Sequence, residues 1–148
     1  MKTWTTKLQK LNACKEAVEW CQDYDSIKDA WQACKRGDWM LWLIDKTIKY
    51  YADKKPLVLV ACECARLALP YVAKGEERPL KAIEVAESWV RGESTLDEVR
   101  AAEAAGTAAW AAGTAAEAAW AARTAAWAAA LSQCADIVRK YYPEAPKI

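Results

Sequence analysis

A chain of 148 residues has the length of one domain, and 21 basic against 20 acidic side chains leave a net charge of +1. That balance, without a basic cluster, argues against a nucleic-acid or anionic-membrane partner. Histidine is absent, which removes the commonest general base and metal ligand; phenylalanine is absent too, so nine tryptophans carry the aromatic packing.

Residues 4 to 24 read as a first helix, with Leu8, Leu11, Cys14, Val18 and Cys21 forming an inward stripe. Asp25-Ser26 separates it from the next, where Ser26 and Asp29 have capping-box spacing and Ile27, Ala30, Trp31 and Cys34 make the buried side. Lys35-Arg36-Gly37 supplies a basic last turn and a C′ glycine. Asp38 then reads as the N-cap of a third helix opening with the apolar block Trp39-Met-Leu-Trp-Leu-Ile44. Tyr50 and Tyr51 are expected to close the bottom of the bundle.

Leu57-Val-Leu-Val-Ala-Cys-Glu-Cys-Ala-Arg-Leu-Ala-Leu69 is the most continuously apolar stretch, bounded by Pro56 and Pro70. A proline is tolerated in a first turn and stops a last one, so the segment reads as a helix over about 56–70. Two apolar stripes predict burial on two sides, and hence a central helix against which the rest packs. Glu63 and Arg66 interrupt it three apart, within pairing distance. Val72 to Pro79 is a loop, and Pro79 to Val90 a helix stopped by Arg91-Gly92.

Ser94…Asp97 and Thr95…Glu98 are overlapping capping boxes, after which nineteen alanines fall between Ala101 and Ala130. Alanine is the best helix former. A single helix from Leu96 to Tyr141 would run about 70 Å, against about 35–40 Å for a globule of this size. A break at Gly113 predicts two helices, about 95–112 and 115–141, forming an alanine-lined hairpin with Trp110, Trp120 and Trp127 in its gaps. The threonines at 107, 114 and 124 are spaced seven and ten apart, which does not build the flat face of an ice-binding helix. Residues 144–148 are expected to fray. The fold class is therefore all-α: one helical bundle over residues 1–148, with a buried central helix.

The six cysteines fall mostly on apolar faces and read as reduced thiols packed as small hydrophobes in a cytoplasmic protein. No metal-ligand spacing, signal peptide or membrane span is legible, and no cofactor is implied. The carboxylates Glu84, Glu87, Glu93, Asp97 and Glu98 are explained by helix surfaces and caps rather than by hydrolytic chemistry. Two constellations stand out: the Asp38, Trp39, Trp42 group at a helix start, and Glu63 with Arg66, for which Arg78, Glu84, Glu87 and Arg91 are candidate neighbours.

Three blocks carry a family likeness: Cys34-Lys-Arg-Gly-Asp-Trp-Met-Leu-Trp-Leu43, Ala61-Cys-Glu-Cys-Ala-Arg-Leu-Ala-Leu-Pro70 and Arg78-Pro-Leu-Lys-Ala-Ile-Glu-Val-Ala-Glu-Ser-Trp-Val-Arg-Gly-Glu93. Over about residues 30 to 140 the chain resembles immunity proteins of bacterial polymorphic-toxin systems. The resemblance implies an all-helical protein that is not an enzyme and protects a cell by binding a toxin. The same scaffold carried by a phage would block a host defence effector. The surface expected to bind joins Asp38, Trp39, Trp42, Glu63, Arg66, Arg78, Trp89 and Arg91. The alternative is a small-molecule binder, in which tryptophan faces and arginines hold a nucleotide-like or aromatic anion. A closed Trp-lined cavity with Arg66 or Arg78 turned inward would mark it.

Overall fold

The computed structural model describes residues 2–49, 54–67, 69–102 and 120–148. Among them the regular structure is helical: α1 (Thr3–Lys10), α2 (Lys15–Cys21), α3 (Ile27–Ala33), α4 (Gly37–Thr47), α5 (Lys54–Arg66), a 3-10 turn at Leu69–Tyr71, α6 (Arg78–Val90), α7 (96–102) and α8 (Trp120–Tyr141). The main packing pairs are α4 with α8, α5 with α6, α5 with α8, α4 with α5, and α1 with α2. The chain is an all-α bundle.

The predicted first helix is two. Asn12 takes a positive φ of 65°, its N–H bonds to the Gln9 carbonyl at 2.9 Å, and the Ala13 N–H bonds to the Leu8 carbonyl at 3.0 Å. This is a Schellman stop with asparagine in the usual glycine position. The apolar stripe continues through the break, which is why periodicity alone missed it. The turn also leaves Cys14 exposed, not inward.

Ser26 caps α3 as expected: its hydroxyl accepts from the Asp29 N–H at 3.2 Å and donates to the Asp29 carboxylate at 2.6 Å. Gly37 is not a C′ glycine. It is the first residue of α4, and a Cβ there would lie 2.3 Å from Cys134 Sγ and 2.7 Å from the Ala135 backbone nitrogen. The residue is small because α4 and α8 approach closely there.

α5 contacts α4, α6 and α8, as a central helix should, but part of its surface still meets water. Leu57, Val60 and Cys62 point inward, whereas Leu59 is 47% exposed and Ala65 and Arg66 face water. The most deeply buried side chains of the core are Met40 on α4 and Ala135 and Val138 on α8, none more than 2% exposed. Pro56 lies in the first turn of α5, and Pro70 follows its end, as read.

α6 ends at Gly92, φ 79°, through the same motif that ends α1: Gly92 N–H to Trp89 carbonyl and Glu93 N–H to Ser88 carbonyl, both 2.9 Å. Of the two overlapping boxes, Thr95…Glu98 forms, while the Ser94 hydroxyl meets Ser88 at 2.7 Å. The expected break at Gly113, Trp110, Tyr50 and Tyr51 lie outside the described residues.

Residues 142–148 lie against the bundle. The Trp31 indole N–H donates to the Tyr142 carbonyl at 3.0 Å, Gln32 to the Pro143 carbonyl at 2.8 Å, and Lys7 to the Ile148 carbonyl at 2.8 Å. Tyr142, Ala145 and Ile148 pack on the core. Arg139, on the last turn of α8, donates to the carbonyls of Trp31 at 3.1 Å and Cys34 at 2.7 Å, closing the C-terminal end of α3. No described helix is long and apolar enough to cross a membrane.

Candidate partner-binding surface

At the α3–α4 junction Arg36 organises a compact group. Its guanidinium forks onto the Asp38 carboxylate, Nε to Oδ1 at 2.9 Å and Nη2 to Oδ2 at 2.7 Å, and reaches Glu16 on α2 at 3.4 Å. The same guanidinium lies 4.3 Å from the centre of the Trp39 ring, a cation–π stack. Asp38 is therefore not the N-cap it was read as. α4 starts at Gly37, two residues before the expected Trp39, and the Asp38 carboxylate sits in the first turn, where the helix end favours it and Arg36 holds it. The Asp38 contact also raises the affinity of Arg36 for its proton.

Trp39 packs on Trp20 of α2, ring centres 6.0 Å apart, and Trp20 packs on Tyr24 at 4.5 Å. All three rings are half-buried. Behind them five of the nine tryptophans (residues 4, 20, 31, 39 and 42) help to line an apolar cavity of about 60 Å³. Ligand pockets commonly span about 300–1,000 Å³, so this cavity takes a few atoms and not a nucleotide. Arg66 and Arg78 are not among its lining. This cavity, among the described residues, thus lacks the arginine lining that would have marked a nucleotide-binding pocket.

The remaining predicted residues lie on α5 and α6. Arg66 does not pair with Glu63. It forks onto Glu87 of α6, at 3.1 and 2.9 Å, and this contact holds the Glu87 carboxyl below the usual carboxylate range. The reason is geometric: three residues on, Arg66 projects toward α6, where Glu87 offers both oxygens. Arg78 binds Glu76 at 2.8 Å, and Arg91 binds Glu93 at 2.9 Å. Lys55 lies 5.7 Å from the centre of the Trp89 ring. Arg78 and Arg91 stand at opposite ends of α6, about 20 Å apart along its axis. The eight residues thus fall into an α4 group (Asp38, Trp39, Trp42) and a set spread over α5 and α6. Arg36, Trp20, Tyr24 and Glu16 join the first group without having been singled out. Trp20 and Tyr24, four apart, carry the one local signal that could have found them.

These surfaces offer aromatic and arginine side chains on fixed helices. Among the described residues no cluster of three or more His, Cys, Asp or Glu is arranged to hold a metal ion. The family described as Imm-5 like putative immunity protein matches residues 50–136. The chain belongs to that family. No curated protein and no solved structure matches it. The span shared with the Imm-5 like family begins before α5, takes in α6 and α7 and ends inside the last turns of α8, so it contains Glu63, Arg66, Arg78, Trp89 and Arg91. The Arg36, Asp38, Trp39 group precedes it.

Proposed function

We propose that this Imm-5 like protein acts in the cytoplasm by stoichiometric binding, neutralising a toxin or defence effector without catalysis. The carrying observation is the half-buried Trp20–Trp39 pair with Arg36 stacked on it and Asp38 and Glu16 beside it. Tryptophan, tyrosine and arginine dominate interface hot spots, and here they are already held in place, so little ordering cost remains on binding. The α5–α6 surface of Glu63, Arg66, Arg78, Trp89 and Arg91 extends the contact into the span common to the family. Trp39 and Trp42 both line the cavity behind the Trp20–Trp39 pair.

The test takes the reading frames that flank this gene as candidate toxins. Co-expression should rescue growth, and the two proteins should co-elute as a complex of fixed ratio. Trp39→Ala should weaken that complex at least about 30-fold, the hot-spot range. Arg66→Glu should weaken it as well. Both variants should keep the helical circular dichroism of the parent, because Trp39 is only half-buried and the Arg66–Glu87 pair is solvent-exposed. Unchanged binding in both variants would remove the surface from the proposal, and catalytic turnover of the toxin would remove the stoichiometric mode.

A further inference from the structure

The cavity behind the Trp20–Trp39 pair is a void that the fold holds open. Protein interiors leave few gaps larger than a water molecule. This one measures about 60 Å³, and every side chain in its wall is apolar or a thiol. Its rings are fixed from outside. Trp4 donates its indole N–H to the Asp25 carbonyl at 3.2 Å, and Trp31 donates to the Tyr142 carbonyl at 3.0 Å. Trp39 is held by Trp20 and by the Arg36 guanidinium. The wall is also graded. Ala30 and Trp31 are 4% and 3% exposed, whereas Trp4, Trp20, Trp39 and Trp42 are half-buried, so the hollow reaches the surface among those four rings.

Size and chemistry limit what fills it. An apolar cavity of about 150 Å³ stays dry and accepts benzene, with its six carbons. On that scale 60 Å³ accepts about two or three carbons. An apolar wall gives water or a charged group too few hydrogen-bond partners. The isopropyl end of a valine or leucine has three carbons and no polar atom. The rim adds a second criterion. Glu16 and Asp38 share the Arg36 guanidinium, so one negative charge is in excess beside Trp39, and both carboxylates meet solvent. Lys46 stands a turn further along α4, 6.0 Å from the centre of the Trp42 ring.

We propose that this cavity is a socket for the isopropyl end of a valine or leucine side chain of a partner protein, with a lysine or arginine of the same partner seated against Glu16 and Asp38. The proposal rests on the partner-binding surface given above and names what that surface grips. An anchor in a desolvated pocket, ringed by contacts that exclude water, concentrates binding energy at an interface. Filling the void also supplies the atomic contacts that its empty wall lacks.

The experiment follows the indole N–H signals by NMR while the full-length protein is titrated with N-acetyl-leucyl-lysine amide. The expected result is a saturable shift of the Trp20 and Trp39 signals. The peptide with asparagine in place of leucine should shift neither, and the one with glutamate in place of lysine should bind more weakly. Ala30→Leu puts three carbons into the hollow from its floor and should abolish the response. Ala30→Val adds two and serves where the larger side chain does not fit. No shift with the leucine peptide, equal shifts with the asparagine peptide, or an undiminished response in a folded Ala30 variant would each overturn the proposal. The toxin complex separates the socket from the inhibitor function. Ala30→Leu should weaken that complex about 50-fold, the worth of three buried carbons. If it binds the toxin as tightly as the parent, the socket fails and the inhibitor stands. If no flanking product binds the parent while the leucine peptide does, the inhibitor fails and the socket stands.

Discussion

Asn12 stands at φ 65°, where an L side chain costs energy unless it is small or bonds locally. Asn12→Gly should leave stability unchanged or raise it slightly, whereas Asn12→Ala should lose about 1 kcal/mol, read from urea denaturation. Cysteine burial makes a second residue-level prediction. Burial pushes the Cys21 and Cys62 thiols from 9.0 up to about 11. The folded protein then keeps protons that the unfolded chain releases, so their contribution is complete below pH 9 and is lost as pH rises through about 11. Each thiol accounts for about 2–3 kcal/mol of that alkaline loss, and Cys62→Ala should flatten the decline of the urea midpoint over the same range. Local chemistry of this kind was legible where its signal is local. Ser26…Asp29, Thr95…Glu98 and Arg91-Gly92 name their own structures, because cap and partner sit within four residues. Asn12 was not legible, since asparagine is ordinary in any helix pattern and only its dihedral marks it.

At the scale of elements the decisive contacts are between helices far apart in sequence. Gly37 illustrates it: after Lys35-Arg36 a glycine looks like a helix stop, yet its role is set by Cys134 and Ala135 on another helix. Gly37→Ala should therefore cost about 3 kcal/mol or more by chemical denaturation, although alanine ordinarily strengthens a helix. Cys134→Ala should not rescue it, because the Ala135 backbone nitrogen remains in the way. Arg139 makes the converse case. Its side chain satisfies two carbonyls at the end of α3. Arg139→Met should cost about 2–3 kcal/mol by leaving them without donors, and Arg139→Lys should restore part of it. The candidate site was half-legible for the same reason. Arg36, Asp38 and Trp39 are neighbours in sequence, but the choice of Trp20 for Trp39, and of Glu87 over Arg78, Glu84 or Arg91 for Arg66, depends on how helices cross.

For the whole molecule, the family match and the core do not coincide. The matched span begins at residue 50, but α4 is a main packing partner of α8, and Met40, Leu43 and Ile44 share one core cluster with Ala135 and Val138. Among the described residues, 2–49 thus supply nine of the fourteen members of that cluster and are not an added arm. A fragment of residues 50–148 should lose cooperative unfolding and bind a hydrophobic dye, because it uncovers side chains that are 0% exposed in the full chain. The all-helical class was readable from alanine content, caps and apolar periodicity. The central place of α5 among α4, α6 and α8 was readable from its apolar run, whereas the depth of Met40, Ala135 and Val138 was not, because it depends on how α4 and α8 cross.

The hydrogen bond from Lys7 to the Ile148 carbonyl has a consequence for the topology. It brings Ile148 against α1, so a short linker could join Ile148 to the start of α1 and a new break could be opened at the exposed Lys74-Gly75 turn. A circular permutant built that way would keep every helix contact described above while beginning at α6 and finishing at α5. The order in which the gene writes the helices is separable from the order in which they touch.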